Sequence, residues 1–174
     1  MFKLQSKTAK SLDFGLAFSK RRNVVFFLTA VLVIIADQLT KEWVRSFPEN
    51  YAIFKTDIVQ IVRIHNPGAA FGAFQDYSLA LAVIALIAVL VILLLVFFFW
   101  RRFSIFDSLL ARTALGLILG GTAGNLIDRL RFGHVTDFID FRIWPSFNVA
   151  DASISVGIVL FAYSLFFMTK AVKR

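Results

Sequence analysis

Long apolar runs separated by short polar stretches make up most of this chain of 174 residues, and four of the runs are long enough to cross a bilayer. Residues 79–100 contain no polar side chain apart from the indole N–H of Trp100, and a helix of that length spans roughly 33 Å. The predicted membrane-spanning helices are residues 24–44, 79–100, 109–130 and 150–169. The pattern therefore predicts an all-α integral membrane protein, a four-helix bundle whose single domain covers residues 24–169.

Two longer connectors join the predicted helices at one end of the bundle, residues 46–78 and residues 131–149. The alternation of apolar and polar side chains over residues 58–64 predicts one or two strands in the first connector. The sequence NPG at 66–68 predicts a turn after them. The aromatic side chains that we expect at the lipid–water boundary are Phe71, Phe74, Trp144 and Phe147.

The distribution of Lys and Arg predicts the orientation of the bundle. Twelve of the 19 Lys and Arg residues lie in the N-terminal segment, in the C-terminal segment, and in and around the connector between the second and third spans. By the positive-inside rule these segments are cytoplasmic, so residues 1–23 and 170–174 are predicted cytoplasmic tails. The connectors 46–78 and 131–149 are then extracytoplasmic. No small-x-small cleavage site follows the first apolar run, so we expect the first span to be retained.

The composition excludes several other classes of protein. The chain is 59% hydrophobic with 21 Phe, which is more apolar surface than a soluble core absorbs. It contains no Cys, which excludes disulfides, thiolate metal sites and cysteine nucleophiles. The net charge of +8 comes from cations beside apolar runs, so no nucleic-acid partner is predicted. No metal or other cofactor is predicted either, because H-E-x-x-H is absent and His65 and His134 are isolated.

Most of the unusual polar residues converge on the predicted extracytoplasmic end of the bundle. Placing an ionisable group at membrane depth is energetically expensive, so each of these residues is a candidate functional residue. The candidates are Asp37, Asn66, Asn125, Asp128, Arg129, Asp137, Asp140, Asn148 and Asp151.

Helical spacing predicts which way the polar residues of the third span face. Asn125, Asp128 and Arg129 stand at i, i+3 and i+4, so they share one face of a helix. The glycines at every fourth position over 116–124 form a small-xxx-small ridge that leads toward Asp128 and lets another helix approach closely. The polar face is therefore predicted to point into the bundle rather than at lipid.

Each candidate also has a purely structural interpretation. Asn148 and Asp151, at i and i+3, are placed to cap the fourth span, where an acid also favours the helix dipole. Asp137 alone has the character of a loop acid. The other structural interpretations are ion pairs of Asp128 with Arg129 and of Asp37 with Lys41, a solvated loop acid at Asp140, and local hydrogen bonds at His65 and His134. A functional site is favoured by the convergence of Asp137 and Asp151 with amides and a guanidinium.

Two carboxylates are the acid–base pair that remains after the other hydrolase templates are considered. The chain has no G-x-S-x-G elbow, and nothing in the sequence supports a Ser–His pair at His134. Two Asp side chains held close together do not both ionise cheaply, so one retains a proton and the other stays charged. The pair then supplies a base for water and an acid for a peptide carbonyl or amine.

Two other classes of function use the same residues. A small proton-coupled membrane carrier would employ Asp137 and Asp151 as proton sites. Against it, the acids lie at one end rather than at the midplane, and the first two spans do not resemble the last two. A structural or assembly subunit would use the glycine ridge but would leave the two acids unexplained. Peptide cleavage that is insensitive to ionophores distinguishes the hydrolase from both.

Five sequence blocks resemble the motifs of the lipoprotein signal peptidases, also called signal peptidase II. They are DQLTK (37–41), HNPGAAFG (65–72), GGTAGNLIDRL (120–130), GHVTDF (133–138) and FNVADAS (147–153), in the family's order. The resemblance covers about residues 24–169. It implies a bacterial inner-membrane aspartic endopeptidase with four transmembrane helices and a small extracytoplasmic β-containing cradle.

The resemblance also implies a substrate and a set of site residues. The substrate is a diacylglyceryl-modified prolipoprotein, whose signal peptide is cut off before the lipidated Cys, beside membrane lipid. Asp137 and Asp151 are the implied catalytic pair, and the cyclic peptide globomycin is expected to occupy their site. We expect the enzyme to be a monomer. The residues implied to line the substrate or support the site are Asn66, Gly68, Asn125, Arg129, Asn148, Asp37 and Asp128.

Overall fold

The computed structural model describes residues 2–68, 78–99 and 108–172, in which four long helices support a three-stranded antiparallel sheet. The helices are α1 (Phe2–Arg45), α2 (Ser78–Leu94), α3 (Leu109–Phe132) and α4 (Val149–Val172), and a π-helical turn, Leu95–Phe99, continues α2. The strands are β1 (Ala52–Lys55), β2 (Gln60–Asn66) and β3 (Val135–Asp140). The predicted four-helix membrane bundle with a small β-containing element is confirmed. Two of the aromatic residues expected at the lipid–water boundary, Phe71 and Phe74, lie outside the described residues. So do Arg101 and Arg102, which contribute to the predicted orientation of the bundle.

Each long helix contains a segment that is long and apolar enough to cross a membrane. These segments are Arg21–Arg45, Ser78–Phe98, Leu109–Phe132 and Val149–Phe167, close to the four predicted spans. The first helix differs from the prediction, because it begins at Phe2 rather than near residue 24. Residues 2–23 contain several Lys, Leu and Ala, which favour helix, and no proline to end it. The segment predicted as a separate tail therefore continues into the first span.

The central helix of the bundle is α3, which packs against the other three helices. Its glycines permit this close packing. A β-carbon on Gly120 would lie 2.7 Å from the Ala30 carbonyl oxygen of α1, and one on Gly121 would collide with the Ala150 carbonyl oxygen of α4. Because the glycines at 116, 120 and 124 all face α1, the predicted glycine ridge is confirmed. The other helices expose large apolar side chains, as lipid-facing helices do.

The sheet has the order β1-β2-β3, with both strand pairs antiparallel. In the register of β2 and β3, Ile64 pairs with Asp137 and Asn66 pairs with Val135. The strands predicted in the first connector are confirmed as β1 and β2. The pattern did not predict β3, because residues 135–138 are buried on both faces of the strand and therefore show no alternation.

The C-terminal ends of α1 and α3 and the start of α4 meet the sheet at one end of the bundle, called the sheet end below. After α3 ends at Phe132, Gly133 adopts a left-handed conformation with φ of 76° and donates its N–H to the Arg129 carbonyl at 3.0 Å. Glycine accepts this conformation without a steric penalty. The resulting tight turn lets β3 begin at Val135, directly against α1 and α3.

Candidate active site

A cavity of about 510 Å³ opens at the sheet end, between α3, β3, the start of α4 and the loop that joins β3 to α4. Six of the nine site residues that the family resemblance implies line it: Asn66, Gly68, Asn125, Arg129, Asp137 and Asp151. The other three are fully buried behind its wall: Asp37, Asp128 and Asn148. The structure thus gathers all nine predicted residues in and around one space.

Asp137 lies on β3 and is only 1% exposed. Asn66 Nδ2 donates to its Oδ2 at 2.8 Å, and Asn148 Nδ2 donates to its Oδ1 at 2.8 Å. Burial raises the pKa of Asp137 to about 7, and the negative charge of Asp151 adds to this rise. The two amide donors and the Lys41 ammonium oppose it. Near neutral pH, Asp137 is therefore able to hold or release a proton.

Asp151 lies in the first turn of α4, where both of its carboxylate oxygens accept hydrogen bonds. Asn125 Nδ2 donates to Oδ1 at 2.7 Å, and the backbone N–H of Asn148 donates to Oδ2 at 3.2 Å. In return, Asn148 Oδ1 accepts from the backbone N–H of Asp151 at 3.0 Å. This reciprocal arrangement is a capping box, so the predicted cap is confirmed. The Asp151 carboxylate also lines the cavity. The structural interpretation of Asp151 as a helix cap and its interpretation as a site residue are therefore compatible.

Arg129 projects from α3 into the same cavity and contacts the turn that follows β2. Its Nη2 donates to the Gly68 carbonyl at 3.1 Å, and the Gly68 N–H donates to Asn66 Oδ1 at 3.0 Å. The guanidinium also interacts electrostatically with both cavity acids, Asp137 and Asp151. It therefore brings positive charge to the two carboxyl groups, and it has donors beyond the one that Gly68 accepts.

Four charged residues behind the cavity wall, Asp37, Lys41, Arg45 and Asp128, form what we call the buried charge network. Lys41 Nζ lies 2.8 Å from Asp37 Oδ2 and 3.2 Å from Asp128 Oδ2, and all three residues are fully buried. Arg45 Nη2 lies 2.7 Å from Asp128 Oδ1. Two cations therefore balance two carboxylates, which is the condition under which charges are tolerated away from water.

Of the two ion pairs considered from the sequence, the structure corrects one and confirms the other. Asp128 pairs with Lys41 and Arg45 rather than with Arg129, because consecutive residues on a helix point in different directions. The pair of Asp37 with Lys41 is confirmed. Both residues are fully buried at the sheet end, so the pair is more than a contact between exposed side chains at a helix end.

The two carboxylates of the buried charge network also fix the backbone beside the cavity acids. Asp37 Oδ1 accepts from the backbone N–H of Ala150 at 3.0 Å, in the first turn of α4. Asp128 Oδ2 accepts from the backbone N–H of Thr136 at 3.0 Å, in β3. Each of these N–H groups belongs to the residue immediately before a cavity acid. The network thus ties α1 and α3 to the two elements that carry those acids.

Some residues around the buried charge network were not predicted as site residues: Gln38, Lys41, Arg45 and Thr136. Gln38 Nε2 lies 3.1 Å from both Asp37 Oδ2 and Asp128 Oδ1. The spacing of the two cations was a signal that the sequence offered. Lys41 and Arg45 follow Asp37 at i+4 and i+8, on one face of the first span, and a cation at membrane depth is itself a functional candidate.

Asp140 and the two histidines do not line the cavity. Asp140 was predicted as a solvated loop acid, but it ends β3 and accepts from Gln60 Nε2 at 2.6 Å. The His65 and His134 rings lie with their centroids 4.1 Å apart, and His65 Nδ1 lies 3.1 Å from Glu49 Oε1. Burial, assisted by the neighbouring His134, lowers the pKa of His65. His65 thus makes a polar contact, with Glu49, whereas the hydrogen bond expected at His134 stays a prediction.

The fold and the cavity together define the class of this molecule: an integral membrane protein with two carboxyl groups that line a cavity at one end of a four-helix bundle. Two solved structures described as bacterial membrane enzymes, at 2.3 and 1.9 Å resolution, share this fold with TM-scores of 0.74 and 0.69. Both are 29% identical to this chain. The matches cover 83% and 80% of this chain, and 88% and 91% of the solved chains.

Sequence comparison identifies the family. The model of the family described as signal peptidase (SPase) II matches residues 29–167. The lipoprotein signal peptidase of Moorella thermoacetica is 41% identical over 143 residues, covering 80% of this chain and 91% of the relative. That of Dehalococcoides mccartyi is 39% identical over 142 residues, covering 79% and 86%. The chain belongs to the signal peptidase II family and is a membrane-embedded protease.

Proposed function

We propose that the protein is an aspartic endopeptidase that removes the signal peptide from diacylglyceryl-modified prolipoproteins and cuts before the lipidated Cys. Membership of the signal peptidase II family supports the substrate class. One observation carries the aspartic mechanism. Asp137 and Asp151 line the same cavity, each held by its own amide donor, and the pKa of Asp137 lies at about 7 beside the charge of Asp151.

The proposed reaction begins with Asp137 protonated and Asp151 ionised. Asp151 takes a proton from a water molecule held between the two side chains, and the resulting hydroxide attacks the carbonyl carbon of the scissile peptide bond. Asp137 gives its proton to the carbonyl oxygen. The product of this step is a neutral gem-diol, with Asp137 now ionised and Asp151 now protonated.

The second half of the reaction returns both protons. Asp151 donates its proton to the peptide nitrogen, the carbon–nitrogen bond breaks, and the lipidated Cys leaves with a free amine. Asp137 takes back the proton of one gem-diol hydroxyl as the new carboxyl group forms. The pair is then in its starting state, and neither a covalent intermediate nor a metal or other cofactor takes part.

The groups that hold the substrate are the remaining donors around the acids. Arg129 and Asn66 line the cavity, and their unused N–H groups bind peptide carbonyls and hold the scissile bond beside the acids. Asn125 and Asn148 orient the two carboxyl groups. Apolar residues of α4 line the cavity's other side, among them the half-exposed Val156, so the diacylglyceryl chains are able to remain in lipid during cleavage.

The proposed setting is the bacterial inner membrane. The basic N- and C-terminal segments lie in the cytoplasm, and the sheet end with its cavity lies at the extracytoplasmic face. The enzyme works as a monomer, with residues 24–169 as its peptidase domain. Globomycin occupies the same cavity as the substrate.

The test is cleavage of a diacylglyceryl-modified prolipoprotein in detergent by the wild type, Asp137→Asn, Asp151→Asn and Asp140→Asn. Asp140→Asn is the matched control, because Asp140 lies on the same strand as Asp137 but outside the cavity lining. We expect the first two variants to lose at least about 1,000-fold in kcat. The control and the wild type cut at similar rates, with or without an ionophore, and spare unlipidated substrate.

Near-normal turnover by a folded Asp137→Asn or Asp151→Asn variant would overturn the aspartic mechanism. Equal cleavage of the unlipidated substrate would overturn the proposed substrate class. Absence of cleavage by the folded wild type would favour the proton-coupled carrier instead.

A further inference from the structure

Lys41 uses every hydrogen-bond donor that its side chain has. An ammonium group carries three N–H bonds and no acceptor. Lys41 Nζ lies 2.8 Å from Asp37 Oδ2, 3.2 Å from Asp128 Oδ2 and 2.8 Å from Asn125 Oδ1. Lys41 is fully buried and does not line the cavity, so it contacts neither solvent nor substrate.

The contact between Lys41 and Asn125 determines which way the Asn125 amide faces. The oxygen and nitrogen ends of a carboxamide have nearly the same shape, so hydrogen bonding alone decides the orientation. Because Lys41 only donates, it requires Asn125 Oδ1 on its side. The Nδ2 end then faces Asp151 Oδ1, at 2.7 Å. The reversed amide would place N–H against the ammonium group and an oxygen against the carboxylate.

The same orientation continues into Asp137 through a second amide. Asn125 Oδ1 accepts a further hydrogen bond from Asn148 Nδ2 at 3.1 Å. That amide in turn donates to Asp137 Oδ1 and presents its own oxygen to the backbone N–H of Asp151. Reversing Asn125 therefore leaves Asn148 Nδ2 without its shared acceptor as well. The buried Lys41 ammonium group and the Asn148 amide thus both require an oxygen at the same end of Asn125.

We propose that Lys41 is a positioning residue for catalysis, which holds the Asn125 amide so that its N–H faces the Asp151 carboxyl group. This inference rests on the proposed function, in which Asp151 takes the proton from water. It assigns Lys41 a role beyond neutralising two buried carboxylates. The charged groups around the chain of contacts from Lys41 to Asp151 are Asp37 and Arg45 on α1, Asp128 and Arg129 on α3, and Asp137 on β3.

The first test measures the amide orientation without any turnover. Protein labelled with ¹⁵N-asparagine contains five side-chain amide signals, and the Asn125 signal is assigned by its loss in Asn125→Ser. In the wild type we expect one Asn125 NH₂ pair, with one proton shifted downfield by the carboxylate of Asp151. In Lys41→Met we expect the downfield shift of the Asn125 proton to be lost, or a second pair of Asn125 NH₂ signals to appear. In Lys41→Arg the downfield shift persists, because arginine retains hydrogen-bond donors.

The second test measures kcat and KM. We expect Lys41→Met to lower kcat about 100-fold and to change KM less than about threefold, because the displaced amides contact the two acids rather than the groups that bind the peptide. Lys41→Arg retains at least about a tenth of the wild-type kcat.

Lys41→Met also leaves two buried carboxylates with one fewer cation, so the protein is at risk of unfolding. The double variant Asp37→Asn with Lys41→Met removes one charge of each sign, so the buried charge network keeps the net charge that it has in the wild type. We expect the same loss of kcat and of the Asn125 shift in the double variant relative to the wild type. Asp37→Asn alone shows what the loss of Asp37 contributes.

The proposal is overturned if folded Lys41→Met, or the folded double variant, keeps the wild-type Asn125 signal. It is also overturned if the amide reverses and kcat is unchanged. Failure of the proposed function has a different signature, which is turnover by Asp137→Asn or Asp151→Asn. In that case the Asn125 signal still decides whether Lys41 orients the amide.

Discussion

Asn148 and Asp151 exchange hydrogen bonds at the start of α4. Asn148 Oδ1 accepts from the Asp151 N–H at 3.0 Å, and Asp151 Oδ2 accepts from the Asn148 N–H at 3.2 Å. The same Asn148 side chain donates to Asp137 at 2.8 Å. One residue thus serves the stability of α4 and the arrangement of the two acids, and substitutions are able to separate these roles.

We predict that Asn148→Ser and Asn148→Ala lose activity to the same extent but differ in stability. A serine hydroxyl caps a helix about as well as an asparagine, so Asn148→Ser is more stable than Asn148→Ala by about 1 kcal/mol. Neither variant supplies the amide N–H groups that reach Asp137 and Asn125, so kcat falls in both. Thermal unfolding in detergent and cleavage of lipidated substrate measure the two effects. Full activity in Asn148→Ser would show that the amide is dispensable.

The bundle was predictable from the sequence because lipid imposes a simple pattern on helices. Apolar runs such as 79–100 and the glycines over 116–124 indicated the spans and the face along which α3 packs. The strand β3 was not predictable in the same way, because its first four residues are buried on both faces and leave no alternation. The start of α1 at Phe2 was not predictable from hydropathy, because residues 2–23 contain no long apolar run.

The residues of the candidate site were predictable as a set, whereas their partners were not. Isolated acids and amides at one end of apolar spans are conspicuous in a sequence. The contacts of Asp128 with Lys41 and Arg45 depend instead on how α1 and α3 are rotated against each other. The meeting of Asp137 with Asp151 depends on the turn and loop that bring a strand beside a helix start. Such relations arise from tertiary packing and leave no local signal.

The raised pKa of Asp137 makes stability depend on pH in a defined direction. In the unfolded chain this carboxyl ionises near its ordinary pKa of about 4, whereas the folded protein holds the proton up to about pH 7. Between these values the folded state binds more protons than the unfolded state. The contribution of Asp137 to the free energy of unfolding therefore decreases as the pH rises from about 4 to 7, by about 4 kcal/mol.

Asp137→Asn isolates this contribution, because an amide does not ionise. We expect the thermal midpoint of the variant, relative to the wild type, to increase between pH 4.5 and pH 8. Asp140→Asn, a change of the same kind at the C-terminal end of β3, is measured in parallel for comparison. A constant difference between Asp137→Asn and the wild type across this range would mean that Asp137 ionises in the folded protein as it does in water.

Arg129→Lys is predicted to weaken substrate binding more than it slows the chemistry. Lysine keeps the positive charge beside Asp137 and Asp151 but loses the planar fork that contacts Gly68 and, in the proposed complex, the peptide. We expect KM to rise about tenfold or more and kcat to change less. Arg131→Lys is the matched control, because Arg131 is exposed two residues further along α3 and packs on Phe132. A fall in kcat alone would instead assign Arg129 to the chemical step.

Gly121→Ala is predicted to lower activity through the backbone of α4. The added methyl group collides with the Ala150 carbonyl oxygen, so the first turn of α4 and Asp151 with it must move. Overpacking of this kind costs about 1–3 kcal/mol in stability.

Gly116→Ala provides the comparison, because its methyl group would lie 2.7 Å from the Phe26 carbonyl oxygen, more than two turns of α3 from Asn125. We expect both variants to be destabilised to a similar degree, but kcat per folded molecule falls at least about tenfold in Gly121→Ala alone. Cleavage rates are therefore normalised to the folded fraction, measured by size exclusion and thermal unfolding in detergent. If the two variants lose activity only in proportion to their folded fraction, the position of the α4 start does not control the chemistry.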